Sequence, residues 1–148
     1  MKAKVLLVGM AVAAAVWAAP ARAQENGYAG GEACKTCHEK VYDAWAATKH
    51  AKAINRLSGS EKADRCITCH VTGTPEMIAR DGANPTFPNV QCEACHGMGK
   101  LHVANAPAAM GIVRKPAERT CTACHNDTSP HFRGFFYNAM TMFIHKTK

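Results

Sequence analysis

The chain has 148 residues, of which 47% are hydrophobic, and a formal net charge of +7 at pH 7. A chain of this length is expected to form one domain with only a modest protein core. Three basic residues lie within the first 23 positions, which leaves a net charge of +4 on the rest. After residue 23, no apolar stretch reaches the length of about 20 residues that a membrane-spanning helix needs.

The N-terminus has the three parts of a secretory signal peptide. Lys2 and Lys4 are followed by an apolar run over residues 5–19, and Ala21-Arg22-Ala23 is an A-x-A cleavage site. Residue 24 is glutamine rather than cysteine, which argues against a lipoprotein anchor. We therefore predict that residues 1–23 are removed and that residues 24–148 form an exported, periplasmic domain.

The first predicted helix runs from Thr36 to Leu57 and stops at Gly59. Ser60 is a candidate cap for a short helix over residues 66–70. Residues 71–91 contain three prolines and two glycines, so they are predicted to be an irregular loop. Later helices are predicted at 91–104, at 116–126 and within 132–145. No segment has the pattern of a strand, so the predicted class is mostly α with extensive loops.

Eight cysteines form four C-x-x-C pairs, and a histidine follows each pair directly. The pairs are Cys34/Cys37, Cys66/Cys69, Cys92/Cys95 and Cys121/Cys124, followed by His38, His70, His96 and His125. C-x-x-C-H is the attachment motif of c-type haem, in which the cysteines form thioethers and the histidine binds the iron. Zinc ribbons, a disulfide framework and a thioredoxin-like site do not require a histidine at this position in all four pairs.

Four haem c groups in about 125 residues would supply most of the apolar interior of a compact single-domain tetrahaem cytochrome c. Crowding alone would bring the haems into close contact, which favours electron transfer between their irons. The haem propionates would also offset the basic residues, so the sequence pI of 9.1 is no argument for nucleic-acid binding.

Four histidines remain outside the motifs: His50, His102, His131 and His145. Each is a candidate sixth ligand to iron or a solvated surface residue. On a continuous helix His50 would lie about 18 Å from His38 and point away from it, so we expect it to bind another haem. His102 is only six residues from His96 and is also expected to bind a neighbouring haem. The same spacing separates His131 from His125, which leaves His131 open as a fourth distal ligand.

Three strings resemble the tetrahaem cytochrome c-554 family: YAGGEACKTCHEKVYDAWAATKHAKA at 28–53, CITCHVTG at 66–73 and NVQCEACHGMGKLHV at 89–103. The likeness extends over nearly all of residues 28–145. It implies a helical fold with stacked and near-perpendicular haem pairs, and distal ligands at His50, His102 and His145. It also implies a five-coordinate haem on Cys66, Cys69 and His70, because the turn position matching His131 is not a ligand in the family.

We expect a periplasmic electron carrier and no catalytic constellation of its own. Two alternatives stay open: a small reductase of nitrogen oxides at a five-coordinate haem, and a subunit of a membrane electron-transfer complex or cytochrome filament. The expected partners are redox proteins, with neither nucleic acid nor a membrane span after cleavage.

Overall fold

The computed structural model describes residues 27–63, 65–108 and 110–145, so the predicted signal segment lies outside the described residues. The α-helices, α1 to α6, are Gly31–Ala46, Pro75–Asp81, Cys92–His96, Lys100–Ala104, Glu118–Thr122 and Tyr137–Met140, and 3-10 helices cover His50–Arg56, Glu61–Ala63, Arg65–Cys69 and Thr141–Phe143. Within the described ranges, strand pairing is limited to one isolated bridge between Val71 and Pro88. The mostly helical class with extensive loops is confirmed.

The predicted single helix from Thr36 to Leu57 starts earlier than predicted and is interrupted in the structure. α1 begins at Gly31 and ends at Ala46, and the chain resumes a helical course only at His50. Thr48 explains the break, because both its backbone N–H and its hydroxyl donate to the Trp45 carbonyl, at 2.8 and 2.7 Å. A threonine side chain that competes for a terminal carbonyl favours the end of a helix.

The predicted loop at 71–91 contains a helix, α2, that the sequence interpretation missed. Thr74 caps it by accepting a hydrogen bond from the Met77 N–H at 3.3 Å, and Pro75 occupies the first turn. Both residues are recognised helix-start signals. The prolines in this segment therefore marked a helix start as well as a loop.

The other predicted helices are shorter or divided in the structure. Residues 91–104 form α3 and α4, separated by Gly97, and the predicted helix at 116–126 is reduced to α5. The C-terminal segment is helical only over α6 and the adjoining 3-10 turn. Ser58 rather than Ser60 supports the turn at Glu61, since its N–H and hydroxyl both donate to the Glu61 carboxylate at 2.7 Å.

The protein core is small. Among the described residues, the buried hydrophobic side chains are Ala53, Ile67, Val71 and Ile78. Ile54 and Leu57 pack against this cluster from the 3-10 helix that follows α1. No described side chain is less than 2% exposed, so the polypeptide alone encloses little apolar volume.

Segment 87–91 connects the first half of the chain to the third motif. The Val90 carbonyl accepts the Trp45 indole N–H at 2.9 Å, and the Val90 N–H donates to the His50 carbonyl at 3.1 Å. Asn89 Oδ1 accepts the Ile54 N–H at 3.1 Å. These hydrogen bonds fix the position of His50 next to the chain that enters α3.

Candidate haem-attachment sites and their histidine pairs

The first motif lies in α1, and helical geometry presents its three functional side chains on one side. At 100° per residue, Cys34, Cys37 and His38 fall within an arc of about 100°. His38 has a non-helical backbone (φ −121°, ψ 39°), so the helix is kinked at the histidine itself. Cys37 and His38 are exposed and Cys34 is half-buried.

The other three motifs also lie on helical turns. Arg65–Cys69 carries the second motif, α3 the third, and α5 with the turn after it the fourth. In the fourth motif, the backbone N–H groups of Cys124 and His125 both donate to the Cys121 carbonyl, at 3.1 and 2.9 Å. A helical turn therefore brings each cysteine pair and its histidine to one side of the backbone.

Three of the candidate ligands have their Nδ1 atoms held by backbone carbonyls. His70 Nδ1 lies 2.7 Å from Ala53 O, His96 Nδ1 lies 2.7 Å from Val113 O, and His102 Nδ1 lies 2.7 Å from Ala108 O. A carbonyl only accepts hydrogen bonds, so Nδ1 is the protonated nitrogen in each ring. The Nε2 lone pair is then free to bind a metal, as in most metal-ligating histidines.

The structure brings three motif histidines together with three of the remaining ones. The ring centroids of His38 and His102 are 6.3 Å apart with an interplanar angle of 20°, and those of His96 and His145 are 6.1 Å apart at 28°. His50 and His125 are 6.0 Å apart at 64°. Each pair contains one C-x-x-C-H histidine and one histidine from a distant part of the chain.

This spacing fits a metal ion between the two rings. An imidazole–metal bond of about 2 Å and a ring radius of about 1.1 Å give a centroid separation of about 6 Å across one ion. Direct contacts between rings cover a similar range, and His125 is also stacked 5.1 Å from Phe135. The distinctive feature is therefore the composition of the pairs, in which a motif histidine meets a spare histidine three times.

His50 is partly buried, whereas its partner His125 is exposed. Burial, and secondarily the nearby His125, lowers the pKa of His50. This favours the neutral imidazole, which is the form that binds metals. The continuous helix assumed from the sequence is absent, but the chain still places His50 beside the histidine of a different motif.

His70 and His131 differ from the other six. Among residues 27–63, 65–108 and 110–145, neither ring has a neighbouring histidine at pairing distance. His131 is exposed in the turn after Pro130, and its N–H lies 3.4 Å from Ser129 Oγ. The pKa of Glu61 is lowered mainly by hydrogen bonds from Ser58 and to a smaller degree by His131 and His70, so both histidines lie on its side of the molecule.

The cysteines of different motifs adjoin one another. A hydrogen bond between the Cys34 and Cys92 thiols raises the pKa of Cys34 and lowers that of Cys92. Burial, followed by contact with Cys69, raises the pKa of Cys124 to about 12. Burial and then the charge of Cys121 raise the pKa of Cys95. All eight cysteines are free of disulfides. The interactions between cysteines place the first motif beside the third, the third beside the fourth, and the fourth beside the second.

Glu93 is a site residue that the sequence interpretation missed. It stands between the third motif's cysteines and is buried, and its carboxylate accepts hydrogen bonds from three backbone N–H groups. In the sequence nothing distinguishes it from an exposed glutamate on a short helix. Glu93 becomes enclosed only because residues 29–30 pass over α3 in the folded chain.

Two searches of the described residues bear on ligand and membrane binding. Across the described ranges, no group of three or more His, Cys, Asp or Glu side chains is arranged to hold a metal ion. The same part of the chain has no helix long and apolar enough to cross a membrane.

Comparison with known proteins agrees with the motifs. The family described as "Cytochrome c554 and c-prime" matches residues 33–97, which include the first three C-x-x-C-H motifs. Over this segment the chain is similar to the cytochrome c-554 family. A curated relative, cytochrome c-554 of Nitrosomonas europaea, is 27% identical over 92 residues, which are 49% of this chain and 39% of the relative. The aligned part thus spans about two fifths of that relative's length. No solved structure matches.

Similarity to this cytochrome c family suggests covalently bound haem c and haem-based electron transfer. The residues present fit this group, because each motif offers two free thiols and a histidine on one helical turn. Three of the four motif histidines also face a second imidazole at a spacing that accommodates one iron.

Proposed function

We propose that this protein is a periplasmic electron-transfer protein with four covalently bound haem c groups. The observation that carries the proposal is the set of three imidazole pairs, each joining a motif histidine to a spare one. Haem supplies one-electron chemistry between ferric and ferrous iron. Two histidine ligands keep an iron six-coordinate in both states, which suits a site that relays electrons.

The pairs suggest which residues hold each group. His38 and His102 would bind the iron of the first motif, His96 and His145 that of the third, and His125 and His50 that of the fourth. The interactions between cysteines support a row of neighbouring haems, in which the haem of the first motif is followed by those of the third, fourth and second motifs. Four apolar side chains near His145 are exposed in the polypeptide and are suited to covering a haem: Phe136, Met140, Met142 and Phe143.

His70 supports a second candidate function. Within the described residues no imidazole faces it, while its Nδ1 is held by the Ala53 carbonyl. An iron bound through His70 Nε2 would then have an open position able to take a small ligand. We propose reduction of a nitrogen oxide at this position as the alternative to a pure relay, with His131 as the residue that would close it.

The first experiment counts haems and ligands in the exported protein. The mass should equal the chain from Gln24 plus four haems, and acidified acetone should extract none of them. Electron paramagnetic resonance of the oxidised protein should contain three low-spin signals and one high-spin signal that responds to cyanide. A zinc-bound, haem-free protein would overturn the proposal.

Histidine variants test the ligand assignment, with His131→Ala as the matched control for His102→Ala. We expect His102→Ala to convert one low-spin haem to high-spin while four haems stay attached. His131→Ala should leave all signals unchanged. Four low-spin signals in the native protein that fall to three in His131→Ala would instead make His131 the fourth distal ligand and exclude the reductase alternative.

A further inference from the structure

Glu93 is a charged side chain almost enclosed by protein, with 3% of its surface exposed. Its Oε1 accepts the N–H groups of Ala29 and Gly99 at 2.8 and 2.7 Å, and its Oε2 accepts the N–H of Gly30 at 2.8 Å. All three partners are backbone donors, and none of them brings a positive charge. Among the described residues the recorded ion pair is Arg80 with Asp81, so the Glu93 carboxylate has no ion-pair partner there.

The hydrogen bonds identify the ionised form. Burial by itself favours a neutral carboxyl group, because a buried charge loses its hydration. Here both oxygens of Glu93 face N–H donors, and charge-assisted bonds of this kind stabilise the carboxylate.

Glu93 lies near two of the candidate haem sites. It is within one helical turn of both Cys92 and Cys95, the attachment points of the third motif. Its hydrogen bonds to Ala29 and Gly30 bring it to the chain that enters the first motif. The hydrogen bond to Cys92 and burial raise the pKa of Cys34, and the charge of Glu93 adds to this shift. One carboxylate thus influences the first and third motifs together.

We propose that Glu93 is a potential-setting residue, whose fixed negative charge lowers the reduction potentials of the haems on the first and third motifs. The inference rests on the proposed function. Reduction transfers one electron from an external one-electron donor to ferric iron and yields ferrous iron, with no bond broken and no proton moved. A nearby anion favours the more positive ferric form. A unit charge about 10 Å away at an effective dielectric constant of about 20 changes the ferric-to-ferrous ratio by roughly tenfold.

The test is a spectroelectrochemical titration of the haem-loaded protein and its Glu93→Gln variant. We expect two of the four midpoint potentials to rise, each by up to about the 59 mV that a tenfold ratio represents for one electron. The His102→Ala variant identifies one of the two haems, since its spectrum changes selectively. Glu93→Asp keeps the charge and should restore most of the native potentials.

Glu118→Gln is the matched control, because it removes an exposed carboxylate three residues before Cys121. Solvent screens that charge, so its variant should shift any potential by less than half as much. If Glu93→Gln loses haem, Tyr28→Lys replaces it, since it adds a cation near the carboxylate and keeps all three hydrogen bonds. Unchanged potentials in the variant tested, or an equal shift of all four, would overturn the role of Glu93. Haem content and low-spin signals are measured in parallel, so failure of the four-haem proposal would be seen separately.

Discussion

Gly97 stands at the break between α3 and α4, and its replacement by alanine should weaken the fold sharply. Its backbone (φ 88°, ψ 174°) lies in a region that is essentially restricted to glycine, where other residues cost about 1–3 kcal/mol. A Cβ atom at this position would also lie 2.9 Å from the Gly111 carbonyl oxygen. Overpacking of this kind costs about 1–3 kcal/mol more.

We therefore expect Gly97→Ala to lower the free energy of unfolding by about 2–6 kcal/mol, a large part of the about 5–15 kcal/mol typical of a domain. The consequence reaches function, because this break directs His96 towards His145 and His102 towards His38. The measurement is guanidinium unfolding of the haem-loaded protein, followed by tryptophan fluorescence and by the low-spin haem bands.

Gly59 supplies the control for this experiment. It lies outside the left-handed region, and a Cβ atom there would meet nothing within 4 Å. Gly59→Ala should be neutral or stabilise the protein by about 0.4–1 kcal/mol, since it restricts the unfolded chain. A loss of less than about 1 kcal/mol in Gly97→Ala would refute the assignment of strain to this position.

Two further predictions concern a single hydrogen bond and a single charge. Trp45→Phe removes the indole donor to the Val90 carbonyl and should lower the free energy of unfolding in guanidinium by about 1–2 kcal/mol. Tyr42→Phe is the control: it loses an exposed hydrogen bond to Glu32 and should change the free energy of unfolding by less than about 0.5 kcal/mol. Hydrogen bonds from Thr86, assisted by Arg80, depress the pKa of Asp81 from 3.8 to about 2. The stabilisation that ionised Asp81 gives the folded state is therefore complete above about pH 4 and is lost as the pH falls through about 2. Asp81→Asn should therefore lower the melting temperature at pH 7, and the difference from the native protein should disappear below about pH 2. A difference that persists at about pH 1 would contradict this.

The sequence by itself predicts the haem-attachment residues, because C-x-x-C-H is a local covalent requirement. Two cysteines and a histidine on one helical turn are close together whatever the rest of the chain does. The sequence also limited the candidate distal ligands to four histidines, since few other side chains bind haem iron so well. It predicted the helical class for a similar reason, from local periodicity and from the glycines and prolines between segments.

Helix boundaries were predicted less well, because single side chains decide them. The Thr48 hydroxyl ends α1 through the Trp45 carbonyl, and Thr74 starts α2 inside a segment whose prolines had suggested a loop. Neither effect changes the average character of a window of residues. A prediction based on such averages therefore made the first helix too long and missed α2.

Only the tertiary structure decided which histidine faces which. The partners lie far apart in sequence, as with His38 and His102, and their encounter depends on the turn at Gly97 and on the hydrogen bonds of Val90 to Trp45 and His50. The burial of Glu93 has the same origin, because residues 29–30 enclose it only after the chain has folded back over α3. Covalent haem attachment depends on neighbouring residues in the sequence. The pairing of the histidines and the burial of Glu93 depend on long-range packing, which no local pattern contains.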